Sequence, residues 1–264
     1  MPDLSALDLT LLALAASLIG LSKTATPGAG TITVAVFAAV LPARESTGTL
    51  LMLLVLGDLF AVRIYRRHAD WATLRRLVPA VVAGVLLGTL FLAVADDAAV
   101  RRIIGVILLA LVAVTLTQRW ARARPARAGR PGSGTRAGRP GSGTRARGRV
   151  EGAAYGVLGG FTTMVANAGG PVMSLYFLAS RFSVNQFLGT AAWFFLVVNV
   201  AKIPFSVSLG LIDAASLRLD AVLAPAVVVG ALVGRRIARR INQAVFERLV
   251  LALTTVAGAY LLVP

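Results

Sequence analysis

The stretch RWARARPARAGRPGSGTRAGRPGSGTRARGR, residues 119–149, decides how the rest of the chain is read. It has no apolar periodicity, and Pro and Gly recur too often for a stable helix, so it predicts a disordered linker. Within it Gly-Arg-Pro-Gly-Ser-Gly-Thr-Arg-Ala occurs twice unchanged, at 129–137 and 138–146. Perfect tandem copies suggest an expansion of little functional value. On either side the sequence turns apolar, giving two halves at 1–118 and 150–264. Only 14% of the chain is charged and 57% is hydrophobic, whereas a soluble domain carries about 25% charged residues. That imbalance points to a membrane protein.

The formal charge of +16 invites a nucleic-acid reading, because clustered arginines can follow a phosphate backbone. Here the arginines are not interleaved with aromatics and the chain between them is greasy, so nucleic acid is rejected as a partner. Anionic lipids, and the excess of Lys and Arg in cytoplasmic loops, explain the charge better. Six apolar runs are long enough, or nearly so, to cross about 30 Å of hydrocarbon. They lie at roughly 46–64, 76–95, 100–118, 185–206, 219–235 and 242–262. Alternation then gathers Arg63, Arg66, Arg67, Arg75, Arg76, the 119–149 tract, Arg181 and Arg235–Arg240 on one side. Counting basic residues in short loops makes that side cytoplasmic, in a multi-pass protein of the cell inner membrane. Asp3 and Asp8 stand where a signal peptide would be basic, so the first apolar run is expected to be retained.

Two further apolar elements are interrupted. Residues 9–22 lead into Ser22-Lys23-Thr24-Ala25-Thr26-Pro27-Gly28-Ala29-Gly30 and then 31–41; residues 151–165 lead into Ala166-Asn167-Ala168-Gly169-Gly170-Pro171 and then 172–180. Each arm is expected to reach only part-way across, with full spans left open, for the first arm above all. Re-entrant hairpins or broken helices meeting near the midplane fit, because such backbone is tolerated only in protein or against a polar cavity. If each element returns to its starting side, each half holds three crossings and the second half is inverted. The predicted fold is an all-α polytopic membrane protein of two inverted repeats, each with a broken or re-entrant helix plus about three transmembrane helices. Internal similarity agrees: Gly20 to Gly30 has the spacing of Gly160 to Gly170. Likewise Leu77-Val78-Pro79 through Gly84 and Gly88 matches Leu223-Ala224-Pro225 through Gly230 and Gly234. The Gly-x-x-x-Gly pairs allow close helix approach.

Paired discontinuous elements are the best sequence pointer to a transporter's binding site. Helix starts at Gly28, Gly30 and Thr31, and at Gly169 and Gly170, would offer unsatisfied N–H groups to an anion. Lys23 and Lys202 are the only lysines, and both sit in apolar surroundings. Intramembrane charges face a water-filled path or a partner. Thr24, Asn167 and Asn199, the last one turn before Lys202, supply further polar groups, although many such groups merely satisfy loosened backbone. Asp58 is the sole acid deep in the 46–64 run. It either pairs with a lysine or carries a proton, and the sequence leaves both open. With no Cys and a single His68, neither a metal cluster nor a hydrolase triad can be assembled, so no enzyme and no cofactor is expected. No phosphate-binding Gly-x-x-x-x-Gly-Lys loop is present, leaving an ion or substrate gradient as the driving force.

These motifs together resemble the sulfite exporter TauE/SafE family, also called the 4-toluene sulfonate uptake permease family. The resemblance is carried by Gly20-Leu21-Ser22-Lys23 through Pro27-Gly28-Ala29-Gly30, and by Trp71-Ala72-Thr73-Leu74 with Pro79 and Gly84-x-x-x-Gly88. It continues in Gly159-Gly160-Phe161, Asn167 through Pro171, and Asn199-x-x-Lys202. It implies two repeated halves and transport of sulfite, thiosulfate, sulfonates or other small organic anions, with a proton suggested as coupling ion for some members. The first break departs from the family pattern in Ala29, and its proline precedes the turn. The rival readings are a membrane scaffold or assembly protein recruiting partners through the basic linker, and an anion channel. Assembly into a homo-oligomer is left open.

Overall fold

The computed structural model describes residues 4–24, 30–123, 142–180, 182–237 and 243–263, and the described chain is all-helical apart from short connections. In order the helices are α1 Ala6–Thr24, α2 Gly30–Val40, α3 Ala43–Tyr65, α4 Trp71–Val94 and α5 Asp97–Ala123. They are followed by α6 Ser142–Ala166, α7 Gly169–Ala179, α8 Val184–Ser208, α9 Ala214–Ile237 and α10 Gln243–Leu262. One 3₁₀ turn, Arg66–His68, joins α3 to α4. Asp70 accepts from the Thr73 N–H at 2.7 Å and starts α4. Ser183 and Gln186 form a reciprocal capping box that starts α8.

Six described helices are long and apolar enough to cross a membrane: Ala6–Thr24, Ala43–His68, Trp71–Val94, Asp97–Gln118, Asn185–Ser208 and Ala214–Gly234. Their outward residues are apolar, with Leu90 and Val94 among the most exposed, which is the surface a bilayer requires. Five of these match runs read from the sequence. The sixth is α1, whose 19 residues reach about 28 Å, not part-way. Ser22 and Thr24 extend it because their hydroxyls bond back to the Ile19 and Gly20 carbonyls, so polar side chains stay within the helix. At the other end of the chain, α10 runs over 20 residues, Gln243–Leu262, matching the run read at 242–262. Only α2 and α7, 11 residues each, are true half-length arms of about 16 Å. The linker reading is also trimmed. Helix α5 runs to Ala123 and α6 begins at Ser142, because the tract's prolines are confined to 125, 131 and 140; residues 124–141 lie outside the described residues.

Glycines set how the helices pair. A Cβ at Gly20 on α1 would overlap the Val227 carbonyl and the Ala231 nitrogen of α9. A Cβ at Gly160 on α6 would overlap the Val81 carbonyl and crowd the Val85 nitrogen of α4. Conversely, Gly230 faces Ser17 and Gly234 faces Leu21 and Thr24, while Gly84 faces Val157 and Phe161 and Gly88 faces Phe161 and Met164. Partner numbers rise together in both contacts, so α1 runs parallel to α9, and α4 to α6. Helices α3 and α8 run antiparallel: Gly48 meets Leu211, Asp58 meets Asn199, and Gly189 meets the 65–69 turn. Helices α5 and α10 are antiparallel as well, through Gly105, Gly258 and Leu261.

Candidate functional site

Helices α3 and α8 cross at a buried charge cluster. The Lys23 ammonium, at the end of α1, lies 2.6 Å from Asp58 Oδ1 in an ion pair. Asn199 Nδ2 donates to the other carboxylate oxygen of Asp58 at 2.7 Å. One turn further along α8, the Lys202 ammonium donates to the Thr163 carbonyl at 2.6 Å, Asn167 Oδ1 at 2.7 Å and Asn199 Oδ1 at 3.2 Å. Lys202 is therefore fully surrounded by acceptors, with 1% of its surface exposed. Held in this way, its ammonium does not extend to a membrane surface. A chain of contacts thus runs from the first break through Lys23, Asp58, Asn199 and Lys202 to the second break.

The second break is built by a backbone reversal. Asn167 has φ 51°, a left-handed conformation that Asn tolerates better than most residues. The reversal lets the Ala168 N–H reach back to the Thr162 carbonyl at 3.2 Å. Its side chain is held at both ends, accepting from Lys202 and donating to the Thr47 carbonyl of α3 at 2.8 Å. Thr47 in turn donates from its hydroxyl to the Val165 carbonyl at 3.1 Å. Helix α7 then starts afresh at Gly169.

A cavity of about 100 Å³ lies between the breaks, lined by Lys23, Asp58, Asn167 and Asn199 together with Gly30, Thr31, Gly170 and Ser174. At about 30 Å³ per water, it has room for a few waters or one small oxyanion. Gly30 and Gly170, one at the start of each short helix, have nothing within 4 Å of where a Cβ would stand. Their backbones border open space. Gly169 differs, because a Cβ there would lie 2.8 Å from Thr163 Cβ and 3.0 Å from the Gly159 carbonyl.

Of the site residues read from the sequence, Lys23, Gly30, Thr31, Asn167, Gly170, Asn199 and Asp58 border one cavity. Gly169 packs behind it. Lys202 is outside the lining and holds Asn167 and Asn199 from the rear. Thr24 faces away, its hydroxyl near the Gly20 and Ala231 carbonyls at the α1–α9 contact. Gly28 lies outside the described residues. Two contributors escaped the sequence reading. Thr47 lies in the polar run Ser46-Thr47-Gly48-Thr49, a visible signal in an apolar helix. Phe195, whose ring centroid is 4.5 Å from the Lys23 ammonium, gives no signal among its apolar neighbours.

The geometry is that of a small polar chamber in an apolar multi-helix body. Neither a curated protein nor a solved structure matches the chain. A family model does, over residues 12–261, nearly the whole length: its description is sulfite exporter TauE/SafE. This chain belongs to the sulfite exporter TauE/SafE family of membrane transporters.

Proposed function

We propose that the protein is a secondary transporter of a small sulfur-containing or organic anion, such as sulfite, thiosulfate or a sulfonate, bound in the chamber between the two breaks. The observation that carries this reading is the charge balance of the buried cluster. Two ammonium groups stand against a single carboxylate: Lys23 pairs with Asp58, and Lys202 is linked to it only through Asn199, which leaves room for one negative guest. Lys23 supplies the cation, and the backbones of Gly30 and Gly170 offer helix-start N–H groups across open space. Asn167 and Asn199, whose amide oxygens accept from Lys202, each keep a second Nδ2 hydrogen to donate to the guest. Lys202 acts as a positioning residue for both. Asp58 is the candidate carrier of a coupling proton, since protonating it would release Lys23 to the anion.

The crossed glycine contacts support two inverted repeats spanning 1–118 and 150–264. Each contact in one half recurs in the other with partners exchanged: Gly20 on Val227 and Ala231 corresponds to Gly160 on Val81 and Val85. That exchange is the mark of a two-fold axis, and antiparallel α3–α8 and α5–α10 pairs are what an axis lying in the membrane plane produces. Asp58 and Asn199 then meet on the axis itself. The cavity lining continues to Phe187 and Leu188 in the first turns of α8, the end that carries Arg66 and Arg75. By the excess of basic residues that end is cytoplasmic, so the chamber is open inward. Rocking of one bundle past the glycine contacts would expose it to the other side.

Uptake into proteoliposomes tests the reading, with sulfite, thiosulfate, small sulfonates, sulfate, acetate and lactate offered with and without a pH gradient. Saturable transport of at least one anion is expected. Lys23→Ala or Asn167→Ala should weaken it, since one charge-assisted hydrogen bond contributes about 1.5–3 kcal/mol, roughly 10- to 150-fold in binding. Asn167→Gly separates the roles of that residue: it keeps the left-handed turn and loses the amide. Asp58→Asn should abolish dependence on the pH gradient. Wild-type rates and affinities in correctly folded Lys23 and Asn167 variants would remove the chamber as the binding site.

A further inference from the structure

A second, larger crevice lies on the outside of the bundle between α4 and α8, and the established family role does not use it. Its volume is about 310 Å³. Val78, Val82 and Leu86 of α4 and Val197, Ala201 and Phe205 of α8 line its length. At 1.5 Å per residue, Trp71 to Leu86 spans about 22 Å, enough for the depth of one leaflet of a hydrocarbon core about 30 Å thick. Its rim is exposed, with Val78 53% and Val197 52% accessible, and its floor is formed by buried Val81, Val85 and Val198.

One end is chemically different. Arg75 is the charged residue of the lining, beside Trp71 and Trp193, whose rings stack at a tilt with centroids 5.1 Å apart. Trp193 Nε1 donates to the Arg66 carbonyl at 3.3 Å, which brings the exposed, basic Arg66–His68 turn to the same end. Arg75 Nε reaches the Trp71 carbonyl at 3.4 Å, and this leaves its terminal guanidinium nitrogens directed to no partner among the described contacts. The nearby acid, Asp70, is engaged in capping α4 through the Thr73 N–H. Aromatic rings and arginines at one level, with an apolar trough below them, match the two-part chemistry of a phospholipid.

We propose that this crevice binds one anionic phospholipid of the surrounding leaflet, an acyl chain lying in the α4–α8 trough and the headgroup phosphate meeting Arg75. A bulk lipid would wet any apolar face; selectivity for a negative headgroup is what Arg75 adds. Such a lipid bridges α4 to α8, the helix that carries Asn199 and Lys202, so its occupancy is sensed next to the chamber.

Tryptophan quenching by brominated lipids tests this without reference to transport. The full chain carrying Trp120→Phe retains only Trp71 and Trp193 as reporters. In vesicles of fixed composition, dibrominated phosphatidylglycerol should quench these two at about five-fold lower mole fraction than dibrominated phosphatidylcholine, the equivalent of about 1 kcal/mol for one basic contact. Arg75→Ala should remove that preference, and Arg75→Lys should keep most of it. Ala201→Phe, which fills the trough, should reduce quenching by both lipids while circular dichroism stays unchanged. Equal quenching by the two lipids, an undiminished preference in Arg75→Ala, or protection of both tryptophans by a second copy of the chain in cross-linked dimers would each overturn the proposal.

Discussion

Gly169 and Gly170 are neighbours with opposite duties. Gly169 is hemmed in by Thr163 and the Gly159 carbonyl, whereas Gly170 borders the open chamber. Gly170→Ala should therefore leave melting temperature unchanged and weaken anion binding, because a methyl group would occupy space the guest requires. Overpacking costs about 1–3 kcal/mol, roughly five- to 150-fold in affinity. Gly169→Ala should instead lower the melting temperature, with a similar energy cost carried by the fold. Thermal denaturation in detergent and concentration-dependent uptake, measured on both variants, distinguish the two; the same loss of stability in each would refute the assignment. Lys202 makes a parallel point. The sequence makes its burial visible, since a lysine among Phe, Val and Ile is conspicuous. Its partners Thr163 and Asn167 were not deducible, because they come from a helix about 35–40 residues away and depend on how α6 ends.

Helix ends are where local sequence controls this fold most directly. Asp213 precedes α9, accepts from the Ser216 N–H at 2.7 Å, and its own N–H reaches the Ser216 hydroxyl. The Ser216 N–H holds the carboxyl below the ordinary aspartate value of 3.8. A depressed folded value means the cap's contribution is complete above that ordinary value and is lost as pH falls through the depressed one. The melting temperature of Asp213→Ala should thus lie below wild type at pH 7, and the gap should close on acidification below about 4. Asp213→Asn, which caps without ionising, should show a gap that is small and insensitive to pH. A constant deficit for Asp213→Ala across this range would argue against the cap. Element lengths were less legible than element types. The repeated Pro-x-x-x-x-Gly-x-x-x-Gly of α4 and α9 is plain to read, and its glycines do sit at helix crossings. The true length of α1 was not, because hydroxyl groups bonding back to carbonyls make Ser22 and Thr24 helical where composition suggests an end.

At the scale of the whole molecule, the parallel and antiparallel helix pairs constrain which ends share a membrane face. Because α1 runs with α9, and α4 with α6, the start of α1 belongs with the start of α9, and Arg75 belongs with the start of α6. Cysteine labelling exploits a chain with no native Cys. Single cysteines at His68 and Thr135 should be blocked only by reagents reaching the cytoplasm. Those at Asp97 and Ala215 should be blocked by impermeant reagents from outside. Finding 97 and 215 on different faces would break the inverted arrangement, and finding 68 outside would reverse its orientation. The all-helical, membrane-spanning fold class and the charged and amide residues that border the chamber were legible because apolar runs and isolated polar groups within them can be read from the sequence alone. The cross-pairing of halves was not, since it arises only when the second copy folds against the first.

The ion pair between Lys23 and Asp58 has a consequence for turnover. Asp58 is a built-in competitor: a carboxylate tethered beside the lysine presents itself at an effective concentration in the millimolar range or above. On the proposed reading, an anion entering the chamber would have to displace it, so apparent affinity would be weaker than the contacts alone would give, and release correspondingly easy. On the same reading the emptied chamber would not leave Lys23 bare, because Asp58 is placed to pair with it, as it does here. A carrier whose Lys23 is paired when empty, with Lys202 capped by neutral acceptors, would on that reading return unloaded and sustain net flux down a gradient. Without that internal counter-ion, each return journey would need a second anion, and the protein would be confined to one-for-one exchange.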